Sequence, residues 1–421
     1  MSPTPRAAAL LVGCALVALV LGPGVAIVLA VAVITATVVD ATLARGPVPV
    51  HRTVPAVLSR GVPAPVEISS GEAAGRLWLR QPRPSYFEVE PARGEGALRA
   101  EVTGRRRGRY LLPGVATRRE GPLGLARWDR LATEASEVLV YPDLPAARRL
   151  VLAVRQHRLR EAGMLPRGLL GLGTEFESVR DYLPDDDIRQ VNWRATARLG
   201  RPMSNQYRVE QDRDLILLLD TGRLMAAPTS PGPGRPADRT RLDTAVDAAA
   251  AVAMTADELG DRCGVIAFAG DIRREVSPRR RGGRAVVQAT FDLEPVGGDA
   301  DYELAFRRVG EAKRAFVLVL SDLLEETAAR PLRDAVPLLA RRHAVAVASV
   351  ADPDLDALTR TPPQDPSDVY AAAIGLDVLG ARTRVASALA HAGAEVIEAP
   401  PESLAAACVR GYLRAKRRGR L

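Results

Sequence analysis

The sequence predicts an α/β protein: an N-terminal pair of apolar helices, a small β-sandwich, then a doubly wound, mostly parallel sheet. Three observations carry this. Residues 7–39 contain no charged side chain. Residues 47–142 run in short alternating segments such as "YFEVE" and "ALRAEVTG", broken by Gly and Pro at roughly ten-residue intervals. From Asp214 onward, continuous apolar runs alternate with segments of helical period, the pattern of parallel strands joined by helices.

As one straight helix the apolar run would be ~50 Å long, against a hydrocarbon core of ~30 Å. Gly22-Pro23-Gly24 breaks it near its centre. Pro removes a helix hydrogen bond and Gly permits reversal. Two spans, 6–21 and 24–43, are therefore expected within a hairpin covering 1–45. Arg6, Arg45 and Arg52 flank the run. Basic residues stay cytoplasmic, so a two-span protein of the cell membrane with the bulk of the chain in the cytoplasm satisfies the charge rule. A cleaved signal peptide would have a shorter apolar core. A single kinked span, placing the remainder outside, stays open.

The net charge of +8 favours an anionic neighbour, either nucleic acid or a lipid surface. The arginines are scattered, with small clusters at 105–107, 279–281 and 416–418, and no basic stretch is interleaved with aromatics. That speaks against nucleic acid and for the bilayer. Cys14, Cys263 and Cys408 form no CxxC pair, and the four His are isolated. Neither a zinc site nor a disulfide framework is indicated.

The β-sandwich module is expected over 46–142 and a linker with a basic helix over 143–212. "GLLGLG" at 168–173 lacks the strand and helix that a nucleotide-binding loop needs. The α/β domain, 213–421, starts with "DLILLLD", a buried strand ending in Asp220, and continues with a helix at about 240–259. The strands "CGVIAFAG", "RAFVLVLSDL", "HAVAVASVAD" and "AEVIEAP" follow, separated by helices. Ligands of such sheets bind at the carboxyl ends of the strands. Asp220, Ser321-Asp322 and the loop acids Asp299 and Asp301 gather there, hard donors suited to Mg²⁺ or Ca²⁺.

The densest polar stretch is "VRDYLPDDDIRQVNWRATAR", 179–198. Pro184 with Asp185–Asp187 reads as a helix start, and Ile188, Val191 and Ala195 fall on one face. The stretch offers carboxylates but no His, Cys or Lys, and Thr196 has no evident base. A structural joint is expected, with Trp193 buried and Arg198 paired, or else a docking surface for a partner.

This segment resembles the domain-of-unknown-function fifty-eight family, whose members look like G-T-E-F-x-x-[LV]-R-x-Y-x-P-G-D-D-x-R-x-I-[DN]-W-x-A-T-A-R. In step are Gly173, Thr174, Glu175, Phe176, Arg180, Tyr182, Pro184, Asp186, Asp187, Arg189, Asn192, Trp193, Ala195, Thr196, Ala197 and Arg198. Asp185 stands where the family usually has Gly. The element order also resembles the von Willebrand factor A fold. The resemblance implies a membrane-anchored bacterial protein, often encoded beside MoxR-type AAA+ ATPases, and supplies no known activity. The metal site of that fold reads D-x-S-x-S with a Thr and an Asp from later loops. Here Asp220-Thr221-Gly222-Arg223-Leu224 lacks both serines, Asp299 replaces the Thr, and Asp322 matches. Two readings follow: an all-carboxylate Mg²⁺ site at Asp220, Asp299 and Asp322, or a degenerate site in which Arg223 pairs with the acids. The expected function is a non-enzymatic membrane-anchored adaptor binding a protein such as a MoxR-type ATPase. The alternative is a metal-dependent hydrolase acting near the membrane.

Overall fold

The computed structural model describes residues 1–71, 76–156, 175–183, 188–208, 213–229, 239–310, 314–322 and 326–417. The chain forms two compact units, Met1–Tyr141 and Pro142–Leu421.

The first unit opens with β1 (Ser2–Pro3), followed by two apolar helices, α1 (Pro5–Leu21) and α2 (Pro23–Ala44). The break expected at Gly22-Pro23-Gly24 falls at Gly22, whose φ of 87° is open only to a residue without a Cβ. By length and composition α2 is able to cross a membrane, and the 17-residue α1 is a shorter apolar helix. Eleven strands follow: β2 (Val50–Thr53), β3 (Val57–Ser59), β4 (Ala64–Ser70), β5 (Leu77–Arg80), β6 (Phe87–Glu90), β7 (Arg93–Glu95), β8 (Ala97–Gly104), β9 (Gly108–Leu112), β10 (Ala116–Glu120), β11 (Ala126–Leu131) and β12 (Ser136–Tyr141). They form sheets ordered β1-β11-β10-β5-β7, β2-β4-β8-β6 and β3-β12-β9. The third sheet contains a parallel pair, β3 with β12, in an otherwise antiparallel module. Alternation places Ile68, Leu79, Val89, Val102, Leu112 and Val140 in one core shared by all three sheets.

The apolar helices and the strands are tied by polar contacts. Buried Asp40, near the end of α2, accepts backbone N–H groups of Leu123, Leu125 and Ala126 at 2.8, 2.7 and 2.9 Å. Three such donors offset the desolvation of a carboxylate. Thr4 caps α1 and donates to the carbonyl of Gly124 at 2.7 Å. A Cβ on Gly121 would lie 2.2 Å from the Asp40 carboxylate, so only glycine admits this approach.

The second unit begins with α3 (Leu144–Arg155), then a two-stranded ribbon of β13 (Glu175–Asp181) and β14 (Met203–Arg208), with α4 (Trp193–Leu199) between them. The main sheet follows: β15 (Asp214–Asp220), α5 (Arg241–Glu258), β16 (Arg262–Phe268), β17 (Ile272–Arg280), α6 (Gly283–Thr290), α7 (Tyr302–Gly310), β18 (Ala315–Leu320), α8 (Glu326–Ala340), β19 (Ala344–Val350), α9 (Pro353–Arg360), α10 (Pro366–His391), β20 (Glu395–Ala399) and α11 (Leu404–Arg417). Its order is β17-β16-β15-β18-β19-β20. All pairings are parallel except β16 with β17. Strand period 2 sends Leu215, Leu217 and Leu219 to one face, under α3, α5 and α11. Ile216 and Leu218 go to the other, under α7, α8 and α10.

Three expectations are corrected. The strand β17 adds to the expected set, since its arginines and Pro278 hide the alternation. An edge strand tolerates them, since one of its sides pairs with nothing. The helix expected between "HAVAVASVAD" and "AEVIEAP" is in fact two, α9 and the long α10, which starts at Pro366 behind its Asp365 cap. Within the described part of 179–198 the helix starts at Trp193, after a 3₁₀ turn at Ile188–Gln190. Asn192 is the cap, accepting the Ala195 N–H at 2.9 Å, and Gly200 in the left-handed region closes the helix. Gly168–Gly173, Pro184, Asp185, Asp186 and Asp187 lie outside the described residues.

Candidate functional site

Two polar regions of the second unit compete for the role of functional site. The first is the crevice at the carboxyl ends of β15, β18 and β19. The strand β15 delivers Asp220 into it, buried. One carboxylate oxygen accepts the Gly222 N–H at 2.7 Å. The other accepts the Tyr302 hydroxyl at 2.9 Å and the Ser321 hydroxyl at 2.7 Å. Burial pushes the Asp220 carboxyl above its ordinary range, while the Ser321, Gly222 and Tyr302 hydrogen bonds oppose that shift. Burial, and then the charge of Asp220, push the Tyr302 phenol well above its usual value.

Asp322 follows β18 and pairs with Arg241, both buried. Arg241 also reaches Asp352 at 3.4 Å. Asp299 points outward and pairs with Arg223 at 2.5 Å, with both side chains exposed. The three acids expected as a cation set are thus divided. Asp220 is held by neutral donors, Asp322 by one guanidinium and Asp299 by another. The reading in which Arg223 meets the acids captured one pairing. Arg241 supplies the buried one; it opens α5, 81 residues before Asp322, a separation that no local pattern bridges. Among the described residues, no group of three or more His, Cys, Asp or Glu is arranged to hold a metal ion. Asp220 accepts from three donors and Asp322 is matched by an arginine, a donor set that does not fit a divalent cation as it stands.

The second region is the ribbon. Its strands pair antiparallel from Glu175 opposite Arg208 to Asp181 opposite Met203, with a bulge between Phe176 and Ser178. The side chain of Thr196 accepts the Met203 N–H at 3.0 Å, and the Asn192 amide donates to Asn205 at 2.8 Å. These bonds fix α4 against β14. Asp181 pairs with Arg201 at 3.3 Å, and Arg180 donates to the Asp181 carbonyl at 3.0 Å. Tyr182 is half-buried, its N–H donating to the Pro202 carbonyl at 3.0 Å. Glu175 sits in β13 and Arg189 in a short 3₁₀ turn, Ile188–Gln190.

The expectation that Trp193 is buried and Arg198 paired is overturned. Trp193 is 69% exposed, and Ile188, Leu183 and Leu199 are 70%, 54% and 53% exposed. Arg194 and Arg198 are exposed and have no ion-pair partner among the described residues. The helix is only seven residues long with no fully buried side chain, and its half-buried positions are Ala195 and Thr196, not Trp193. The segment between the two strands therefore exposes Trp193 and Ile188 together with Arg194 and Arg198.

Two relatives, uncharacterized proteins of Mycobacterium tuberculosis and Mycobacterium bovis, are each 31% identical to this chain over 224 residues. Those matches span 50% of this chain and 66% of each relative, just under two thirds of their length. The family model described as "Protein of unknown function DUF58" matches residues 178–388, which take in most of the ribbon and the main sheet through α10. The chain belongs to that family.

Proposed function

We propose that the protein is a membrane-anchored, non-catalytic adaptor that docks a protein partner through the ribbon. One observation carries this: Trp193 stands 69% exposed, on a segment that also exposes Ile188 and whose backbone is fixed at Asn192 and Thr196. Large aromatic side chains with neighbouring arginines are the groups that anchor protein interfaces. The fitting partner surface is an apolar pocket rimmed by carboxylates. The apolar helices α1 and α2 supply the anchor, as a two-span hairpin with the bulk of the chain in the cytoplasm. The main sheet, von Willebrand factor A-like in its element order, serves as the rigid support. The resemblance of the signature segment nominates a MoxR-type AAA+ ATPase as partner.

The test is recovery of partners from native membranes with tagged wild-type chain and with Trp193→Ala. The expected result is an ATPase recovered by the wild type and lost from the variant, with equal melting of both. Repeated recovery without an ATPase removes that partner. Equal recovery by the variant removes the ribbon as the docking site.

A further inference from the structure

The first unit contains a pocket of about 290 Å³ directly where α2 ends. Arg45, Arg119 and Arg130 line it with Trp128, and among the described residues no acidic side chain does. The Arg45 guanidinium lies over the Trp128 ring, 5.6 Å from its centroid. Arg119 donates to the Gly46 carbonyl at 3.3 Å, which fixes the chain leaving the helix. Neither Arg45 nor Arg130 has an ion-pair partner among the described residues. Three guanidinium groups lining one small pocket make it electropositive, which favours an anionic ligand.

The position of the pocket along α2 identifies the anion. The turn between β10 and β11 is held to α2 at Asp40 and to the start of α1 at Thr4. At its tip Leu123 is 56% exposed. Arg45 lies five residues beyond Asp40, ~7.5 Å along a helix axis. A bilayer's polar layer is ~5–8 Å deep on each side, the difference between its full thickness and its hydrocarbon core. With α1 and α2 in a bilayer, Leu123 meets the edge of the hydrocarbon and the arginine pocket sits at headgroup depth. A tryptophan at that depth has the amphipathic character of membrane interfaces. Arginine binds phosphate oxygens through paired donors, and anchoring keeps headgroups at high local concentration.

We infer that Arg45, Arg119, Arg130 and Trp128 bind the phosphodiester headgroup of an anionic phospholipid. This rests on α1 and α2 being membrane helices. The full chain is purified in an uncharged detergent and titrated with phosphatidylglycerol or phosphatidylcholine, and bound lipid is counted by native mass spectrometry. The wild type retains one phosphatidylglycerol at least ten-fold more tightly than phosphatidylcholine. Arg45→Gln/Arg130→Gln loses that preference, while Arg99→Gln/Arg106→Gln, outside the pocket, keeps it. If the double variant shows no cooperative melt, Arg130→Gln alone, at an exposed side chain, replaces it. Equal binding of phosphatidylglycerol by pocket variant and wild type overturns the inference. So does displacement of the lipid by inorganic phosphate at millimolar concentration, which assigns the pocket to a soluble anion. Extraction of the chain from membranes by alkaline carbonate overturns the membrane reading itself. A chain that resists extraction yet shows no phosphatidylglycerol preference overturns the headgroup site alone.

Discussion

The crevice and the ribbon are both rich in Asp and Arg, yet they use those residues oppositely. In the crevice, Arg241 and Asp322 are buried against each other, and Asp220 is enclosed by Tyr302, Ser321 and Gly222. Its polar groups are spent on one another. In the ribbon, Trp193, Arg194 and Arg198 face solvent and the backbone bonds do the holding. A charge-dense sequence is therefore no guide to a working surface. What distinguishes one is whether its groups are left with unused capacity after folding.

The sharpest way to break this comparison is Arg241→Ala. It removes the guanidinium that pairs with buried Asp322, and losing one partner of a buried pair costs ~3–5 kcal/mol. Denaturant melts of the full chain should show the loss in the transition of the second unit. An unchanged midpoint would mean that the crevice is more hydrated than its burial indicates. Tyr302→Phe is the next largest. It removes one of the donors to Asp220, at a cost of ~1–3 kcal/mol, and should appear in the same transition.

The pH dependence sharpens the point. Burial raises the Asp220 carboxyl, so the folded state binds its proton more tightly than the unfolded chain does. This group then favours folding below the unfolded value of about 3.9, and the benefit is lost as pH rises through the folded value. Comparing wild type with Asp220→Asn across that window should show the wild type gaining relative stability as pH falls. The opposite slope would mean that the hydrogen bonds outweigh the desolvation.

Arg223→Ala should cost only ~0–1 kcal/mol, because its pair with Asp299 is exposed. Trp193→Ala should be smallest for stability, within ~0.5 kcal/mol, as for other exposed substitutions. Its effect belongs in partner capture. A clear fall in melting temperature for Trp193→Ala would place the ribbon with the crevice, as structure.

Periodicity by itself determined much of the fold. The apolar run and its Gly22 break, the alternating strands of the first unit, and the continuous apolar runs of β15 and β18 are each local signals that packing had no reason to override. The edge strand β17 was illegible, because its arginines obey the needs of an unpaired edge instead of those of a buried face. The helix boundary at Asn192 was masked by the stronger Pro-Asp signal at 184–187.

The candidate site was less legible than the fold. The sequence singled out Asp220, Asp299 and Asp322 as a group and Trp193 with Arg198 as a joint. Tertiary structure alone decided their partners. Arg241 and Asp322 are 81 residues apart, and so are brought together only by the crossover between β15 and β18. Likewise, whether an indole is buried depends on a second surface meeting its helix, and no local pattern in residues 179–198 encodes that surface. Hydrophobic period is a property of neighbours in sequence; charge pairing and exposure are properties of neighbours in space.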